Sequence, residues 1–285
     1  MIASLILFCA IAFDESPVLL RQIELDQNGF SCNTIDGVAG GKTDRAEQAA
    51  RGKTLKAHNP FRVETVTQAD LDSLVMIPKA PADKAKLPRM GYETIKEMFA
   101  ERGHMSQRGL ERLNPGVDWD NIQPGLKLVI PDFPPIENDL SPGKRKRKDA
   151  ALVKVSLSRF EITAYDASGN CIALFPCSIA RDKSKLPPQG ELKITSYIPN
   201  PNYTYTPDFV PAGKKASRCV LPEGPNCPVG VVWMGLNLPT YGIHGTPRPE
   251  SIGNAESHGC FRLANWNAAR LFAMCRSGTR VIVEP

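Results

Sequence analysis

Apolar positions recur along the chain with two different periods, and the change of period divides it. Near the amino terminus Leu19, Leu20 and Ile23 fall on one helical face. Tyr92, Ile95, Phe99 and Arg102 define a second helical face, and Leu110 with Leu113 begin a third. From Leu126 the period shortens, with Leu126, Leu128 and Ile130 alternating as a strand does. Beyond Ala151 alternation dominates: Leu152, Lys154 and Ser156 interleave with Val153, Val155 and Leu157, then Phe160, Ile162 and Ala164 follow. Ala167-Ser168-Gly169-Asn170 predicts a turn into a strand running from Cys171 to Ile179. Residues 191–198, 229–236 and 280–283 read as further strands, and 266–276 as a helix with Asn265 as N-cap and Gly278 as its stop. The expected class is α+β and multidomain. A β-rich, sandwich-like domain over 151–285 follows two small modules, one helical over 17–80 and one of helix, helix and strand over 87–134.

Turn chemistry sharpens these boundaries. Asp36-Gly37 marks a tight turn, and Thr43 or Asp44 is the expected N-cap of the Ala-rich helix that follows. The Gly40-Gly41-Lys42-Thr43 run is not a phosphate loop, because the first glycine of that pattern and the apolar strand before it are absent. Most of the 25 prolines lie between Pro78 and Pro142 and between Pro187 and Pro239, which favours loops and linkers over a long bundle. Residues 135–150 are expected to be a linker.

Composition changes the picture in three places. The net charge of +5 comes from 35 basic and 30 acidic residues, and the run from Lys144 to Lys148 accounts for most of it. No aromatic residues interleave with that run, so it reads as a solvated linker with weak attraction for an anionic envelope, and nucleic acid is not an expected partner. Ile2 to Phe13 is apolar yet shorter than the roughly 20 residues of a membrane span. With Ala10-Ile11-Ala12 near its end resembling an A-x-A cleavage site, the 1–13 segment reads as a signal peptide or an N-terminal membrane anchor, and the protein as exported. Export would allow disulfides among Cys32, Cys171, Cys177, Cys219, Cys227 and Cys275. Their connectivity stays open: Cys219 and Cys227 flank a turn-rich segment, whereas Cys171 and Cys177 cannot meet along one extended strand.

The stretch that carries chemistry is Tyr241-Gly242-Ile243-His244-Gly245-Thr246-Pro247, followed by Ser257-His258-Gly259-Cys260-Phe261-Arg262-Leu263. A thiol is mostly protonated at neutral pH, so a catalytic cysteine needs an imidazole or a dipole to take or release its proton. Two of the chain's four histidines lie here. Gly259 would allow close approach of backbone amides to a substrate carbonyl. Three readings compete: a core cysteine with incidental histidines, a metal site of His244, His258 and Cys260, and a Cys/His acyl-transfer site. The metal reading is short of ligands, since no C-x-x-C pairing completes it.

Ile243-His244-Gly245-Thr246, Ile252-Gly253 and Ser257-His258-Gly259-Cys260-Phe261-Arg262-Leu263 together resemble the signature of the L,D-transpeptidase (YkuD-type) catalytic domain. The resemblance extends through Pro188-Gln189-Gly190, Asn226-Cys227-Pro228-Val229-Gly230 and Gly278-Thr279-Arg280-Val281, covering nearly all of 151–285. It implies Cys260 as nucleophile and His244 as general acid/base, with His258 the alternative base. His258, Gly259 and Gly245 would shape the site and the oxyanion hole, and Ser257 and Arg262 would hold the loop or a substrate carboxylate. The implied reaction releases D-Ala from a tetrapeptide stem through a thioester and forms a 3-3 peptidoglycan cross-link in the cell envelope. It needs no cofactor or metal, and a carbapenem would acylate the same thiol. Resolution by water would make the chain an L,D-carboxypeptidase, and a degenerate site would leave a non-catalytic peptidoglycan-binding protein. The Asp36-Gly37 to Thr43 run resembles the small three-helix peptidoglycan-binding domain, and 87–134 resembles a LysM module, so glycan strands are expected partners beside stem peptides. On that reading a chain beginning near Ala150 keeps its turnover on small soluble muropeptides.

Overall fold

The computed structural model describes residues 16–140, 149–207, 218–257 and 259–285, so the apolar start and the Lys144–Lys148 run lie outside the described residues. Helices α1 (Pro17–Gln27) and α2 (Gly41–Ala50) open the fold. Pro17 starts α1, where its missing N–H costs nothing. The N-cap of α2 is Gly40, with no side-chain cap. Thr43 sits inside the first turn, where its hydroxyl accepts from Gln22 Nε2 at 3.2 Å and cannot cap the helix. Leu25, Phe30, Ala46 and Ala50 do not close on a third helix. They bury Leu174 of the β-rich domain instead.

The next unit starts earlier than its apolar pattern suggests. Strand β1 (Phe61–Thr65) pairs antiparallel with β2 (Lys127–Pro131), Phe61 opposite Pro131 and Thr65 opposite Lys127. Between them lie two short helices, α3 (Gln68–Asp72) and α4 (Pro81–Lys84), and two longer ones, α5 (Ile95–Arg102) and α6 (Gln107–Leu113). Thr94 and Ser106 cap α5 and α6 by accepting from the Glu97 and Gly109 amides. The unit therefore begins at Phe61, not Leu87, and the expected helical module over 17–80 gives up its last third to it. Short helix α7 (Glu137–Leu140) follows.

The β-rich part contains β3 (Leu152–Ser156), β4 (Glu161–Tyr165), β5 (Cys171–Pro176), β6 (Ile179–Ala180), β7 (Gly190–Pro199), β8 (Tyr203–Tyr205), β9 (Cys219–Leu221), β10 (Val232–Leu236), β11 (Gly242–His244), β12 (Ala255–Ser257), β13 (Phe261–Arg262), α8 (Asn265–Met274) and β14 (Arg280–Glu284). Eight strands form one sheet in the order β13-β11-β10-β7-β14-β3-β4-β5. The sandwich expectation is corrected to a single curled sheet. Long β7 is the reason: its residues 190–193 pair with β14, whereas 194–199 pair with β10, so both halves share one strand. Val153, Val155, Ile162, Phe175, Ile194, Met234, Ile243 and Phe261 pack against Ala268, Leu271 and Phe272 of α8 in the main core.

Every residue of α8 is buried, although only one face meets the sheet. The amino-terminal units cover the rest. Trp266 lies parallel to His104 at 5.2 Å between ring centroids. Asn265 Nδ2 donates to Glu101, and Asn267 Nδ2 donates to the Ser31 hydroxyl. Arg270 donates to the Asp26 carboxylate at 2.5 Å. The units are thus welded through α8 and are not strung on linkers. Among the described residues every cysteine is a free thiol, and no helix is long and apolar enough to cross a membrane.

Candidate active site

Strands β11 and β13 run parallel with Ile243 opposite Phe261 and His244 opposite Arg262. Side chains alternate across a strand, so Ile243 and Phe261 enter the core while His244, Arg262 and, one step before β13, Cys260 share the opposite face. Strands about 4.8 Å apart with about 3.3 Å of rise per residue put the His244 and Cys260 backbones roughly 8 Å apart on the diagonal, a gap that an imidazole and a thiol span together. Both line an open cavity of about 600 Å³ with Trp233, Tyr241, Ser257, Gly259 and Arg262.

Backbone groups surround the thiol. Cys260 Sγ lies 3.4 Å from the Thr240 carbonyl, and the Gly242 amide donates to the sulfur. Burial pushes the thiol up from its ordinary range, opposed by that amide and by the Arg262 charge. His244 is buried, and burial, helped by the Arg262 charge, drives its pKa down to about 4 against the opposing backbone hydrogen bonds to Gly245 and Val229. Its Nδ1 meets the Gly245 carbonyl at 2.6 Å. A neutral ring can only donate there, which assigns the proton to Nδ1 and leaves Nε2 with the lone pair. Trp233, opposite His244 in the antiparallel β10–β11 register, stacks on the ring at 5.6 Å.

Ser257 supports the turn that carries the thiol. Its Oγ donates to the Cys260 carbonyl at 2.6 Å and accepts from the Gly259 amide at 3.2 Å. That amide is therefore engaged within the turn. Gly259 has φ +154°, and a Cβ there would come within 3.3 Å of the Tyr241 ring. Gly245 is needed for packing, because a Cβ would fall 2.3 Å from Asn265 Oδ1. His258 lies outside the described residues. The structure thus gathers Cys260, His244, Ser257, Gly259, Arg262 and Gly245 of the expected set, and adds Trp233, Thr240 and Gly242. Those three were missed because their place depends on hairpin register, and only the Trp-x-Gly spacing inside a strand hinted at a side chain lying over bare backbone. No group of three or more His, Cys, Asp or Glu side chains suited to a metal ion occurs among the described residues.

Comparison with known proteins places this site in a family. The model of the YkuD L,D-transpeptidase catalytic domain matches residues 150–283. YkuD of Bacillus licheniformis, which carries an L,D-transpeptidase name, is 27% identical over 194 residues, covering 68% of this chain and 94% of its own length. YbiS of Escherichia coli, named likewise, is 27% identical over 194 residues, covering 66% of this chain but only 60% of itself. Among solved structures, the NMR structure of the catalytic domain of the Enterococcus faecium L,D-transpeptidase aligns with a TM-score of 0.36 at 22% identity, over 49% of this chain and 99% of that one. From the sequence matches, residues 150–283 are an L,D-transpeptidase catalytic domain of the YkuD family.

Proposed function

We propose that Cys260 is the nucleophile and His244 the general acid/base of a peptidoglycan cross-linking reaction. The supporting observation is the shared face: the parallel β11–β13 register brings a thiol and a buried, neutral imidazole to one cavity, with the Nδ1 proton tied to the Gly245 carbonyl. Both groups are neutral at rest, since burial raises the one and lowers the other. His244 Nε2 takes the thiol proton as sulfur attacks the carbonyl of the third residue of a tetrapeptide stem. The C–N bond to D-Ala breaks, and the same proton passes to the departing amine. An amine of a neighbouring stem then attacks the thioester, loses a proton to His244 and returns the thiol, leaving a 3-3 cross-link. The Gly242 amide beside the sulfur is suited to stabilise the oxyanion.

Ser257 and Arg262 act on the turn and on a substrate carboxylate respectively. The unit from β1 to β2 is LysM-like in carrying two longer helices, α5 and α6, between paired strands, although α3 and α4 are added before them, and its proposed partner is the glycan strand. An exported, envelope-located enzyme is the setting in which this substrate is met. Mass spectrometry of tetrapeptide muropeptides incubated with the full chain tests the reading. A cross-linked dimer with released D-Ala is expected from wild type and none from Cys260→Ala. Tripeptide alone would identify water as the acceptor, and no product would refute the assignment.

A further inference from the structure

The segment from Arg248 to Asn254 feeds β12 and, three residues later, Cys260. Its neighbours are held by very short pairings: β12 meets β6 at Ala255–Ile179 and Ser257–Ala180, and β13 meets β11 at two positions. Two-residue strands fix a backbone poorly, so the position of the sulfur depends on what else grips the segment. Ser178 grips it from the sheet side. Its Oγ donates to the Ser251 carbonyl at 3.1 Å and accepts from the Gly253 and Asn254 amides at 3.2 and 3.4 Å.

The second grip comes from the amino-terminal unit. Asn33 Nδ2 donates to the Pro249 carbonyl at 2.7 Å, and Lys42 Nζ donates to the Ile252 carbonyl at 2.5 Å. Gly253, at φ +98°, makes room for the lysine, since a Cβ there would sit 2.7 Å from Lys42 Cε. A lysine on a helix ordinarily extends its ammonium into water. Lys42 is instead half-buried, burial lowers its pKa, and among the described residues it forms no ion pair. The contact with the Ile252 carbonyl is what compensates the lost hydration. The Gly40-Gly41-Lys42-Thr43 run, which has no phosphate-loop context, thus has a partner inside the chain.

We infer that Lys42 and Asn33 are positioning residues for Cys260, clamping the 248–254 segment so that the sulfur stays in register with β11. The inference rests on Cys260 being the nucleophile. It makes the first helices part of the reaction's geometry, where a misplacement of about 1 Å costs on the order of 10²-fold in rate.

The test uses the full chain with Lys42→Met, Lys42→Arg and Asn33→Gly. Glycine tolerates the Asn33 backbone, whose φ is +73°, while deleting the amide donor. D-Ala release from soluble tetrapeptide muropeptides gives kcat and KM. Carbamidomethylation of the Cys260 thiol by iodoacetamide, which displaces iodide, gives a second readout that needs no substrate. Lys42→Met and Asn33→Gly should each lower kcat about tenfold, with KM within about twofold, and change the Cys260 alkylation rate at least about threefold, while Lys42→Arg stays near wild type. Unchanged kcat and alkylation in Lys42→Met and Asn33→Gly would overturn the clamp, as would a Lys42→Arg variant as impaired as Lys42→Met. A wild type that alkylates normally but releases no D-Ala would refute the nucleophile assignment instead, and the alkylation rates would still judge the clamp.

Discussion

Asp26→Asn should be among the most destabilising isosteric changes in this chain. Asp26 is fully buried in the last turn of α1, where the helix dipole disfavours negative charge. Its Oδ1 accepts from Arg270 at 2.5 Å and meets His104 Nδ1 at 2.9 Å, and its backbone carbonyl accepts from Arg270 at 2.8 Å. Burial pushes the carboxyl up, but Arg270, His104 and the Ser31 hydroxyl outweigh it and hold it below the usual carboxylate range. The asparagine keeps the shape and removes from the Arg270 guanidinium, 3% exposed, the negative charge that Asp26 supplies. Removing one partner of a buried pair costs about 3–5 kcal/mol. That is about a fifth or more of a typical total of roughly 5–15 kcal/mol. With a urea m-value of about 3 kcal/mol/M, the midpoint should fall by about 1–1.7 M. The pH dependence carries a second signature. A carboxylate whose folded pKa is depressed contributes stability above its unfolded pKa of about 3.9 and loses it as pH falls toward the folded value. Wild type should therefore weaken below about pH 4 more steeply than Asp26→Asn. The paired variant Asp26→Leu with Arg270→Met should be more stable than either single one. Urea melts followed by tryptophan fluorescence at pH 7 and pH 3 measure all of this. A loss under about 1 kcal/mol at pH 7, or strict additivity in the double variant, would refute the reasoning.

Cys260→Ala and Cys260→Ser should abolish product and covalent carbapenem adducts while leaving urea melts unchanged, as intact-mass spectra would show. His244→Ala should cost about 10²- to 10⁴-fold in kcat. Because the imidazole must be neutral to accept the thiol proton and its pKa is lowered to about 4, wild-type kcat/KM should persist as pH falls through 6.5 and drop only near 4; an acid limb near 6.5 would argue against a buried base. A chain beginning near Ala150, expected from sequence to keep its turnover, should instead be unstable, since it exposes Trp266 and takes the Asp26 carboxylate away from Arg270; a cooperative thermal transition and normal D-Ala release from that fragment would show the weld to be dispensable.

The gathering of the candidate site residues was legible because they are close along the chain. His244, Ser257 and Cys260 lie within 17 residues; the parallel β11–β13 register brings His244 and Cys260 to one face, and Ser257 joins them through its bond to the Cys260 carbonyl. The alternating runs at 152–157 and 280–283 are strands β3 and β14, which pair in parallel at the centre of the sheet. Strand β1 was missed because Phe61 to Thr65 is short and partly exposed, so its partner β2 defines it more than its own pattern does. The helix predicted from Trp266 to Arg276 stops at Met274, and its N-cap is Ala264, with Asn265 already helical and turned inward to Glu101 and Pro225. Phe160, read as part of a strand, sits at φ +54° in the turn before β4. The weld was invisible for a different reason. Asp26, His104 and Arg270 are 78 and 166 residues apart along the chain, and a lone charged residue on a helix normally signals a solvated face.

Strand β14 is the latest of the eight in sequence, yet it sits between β7 and β3, parallel to β3 and antiparallel to β7. A ribosome that has made everything through Gly278 has therefore made two half-sheets with no shared edge: β3-β4-β5 on one side and β13-β11-β10-β7 on the other. Val281 and Val283, both buried, have to slide into a gap already flanked by finished strands. Synthesis order and assembly order are opposed, so the thiol-bearing half cannot join its partner half until elongation has passed Glu284. Nascent chains stalled before Arg280 would present two open strand edges, the surface that a holdase would have to cover to keep them from pairing with other chains.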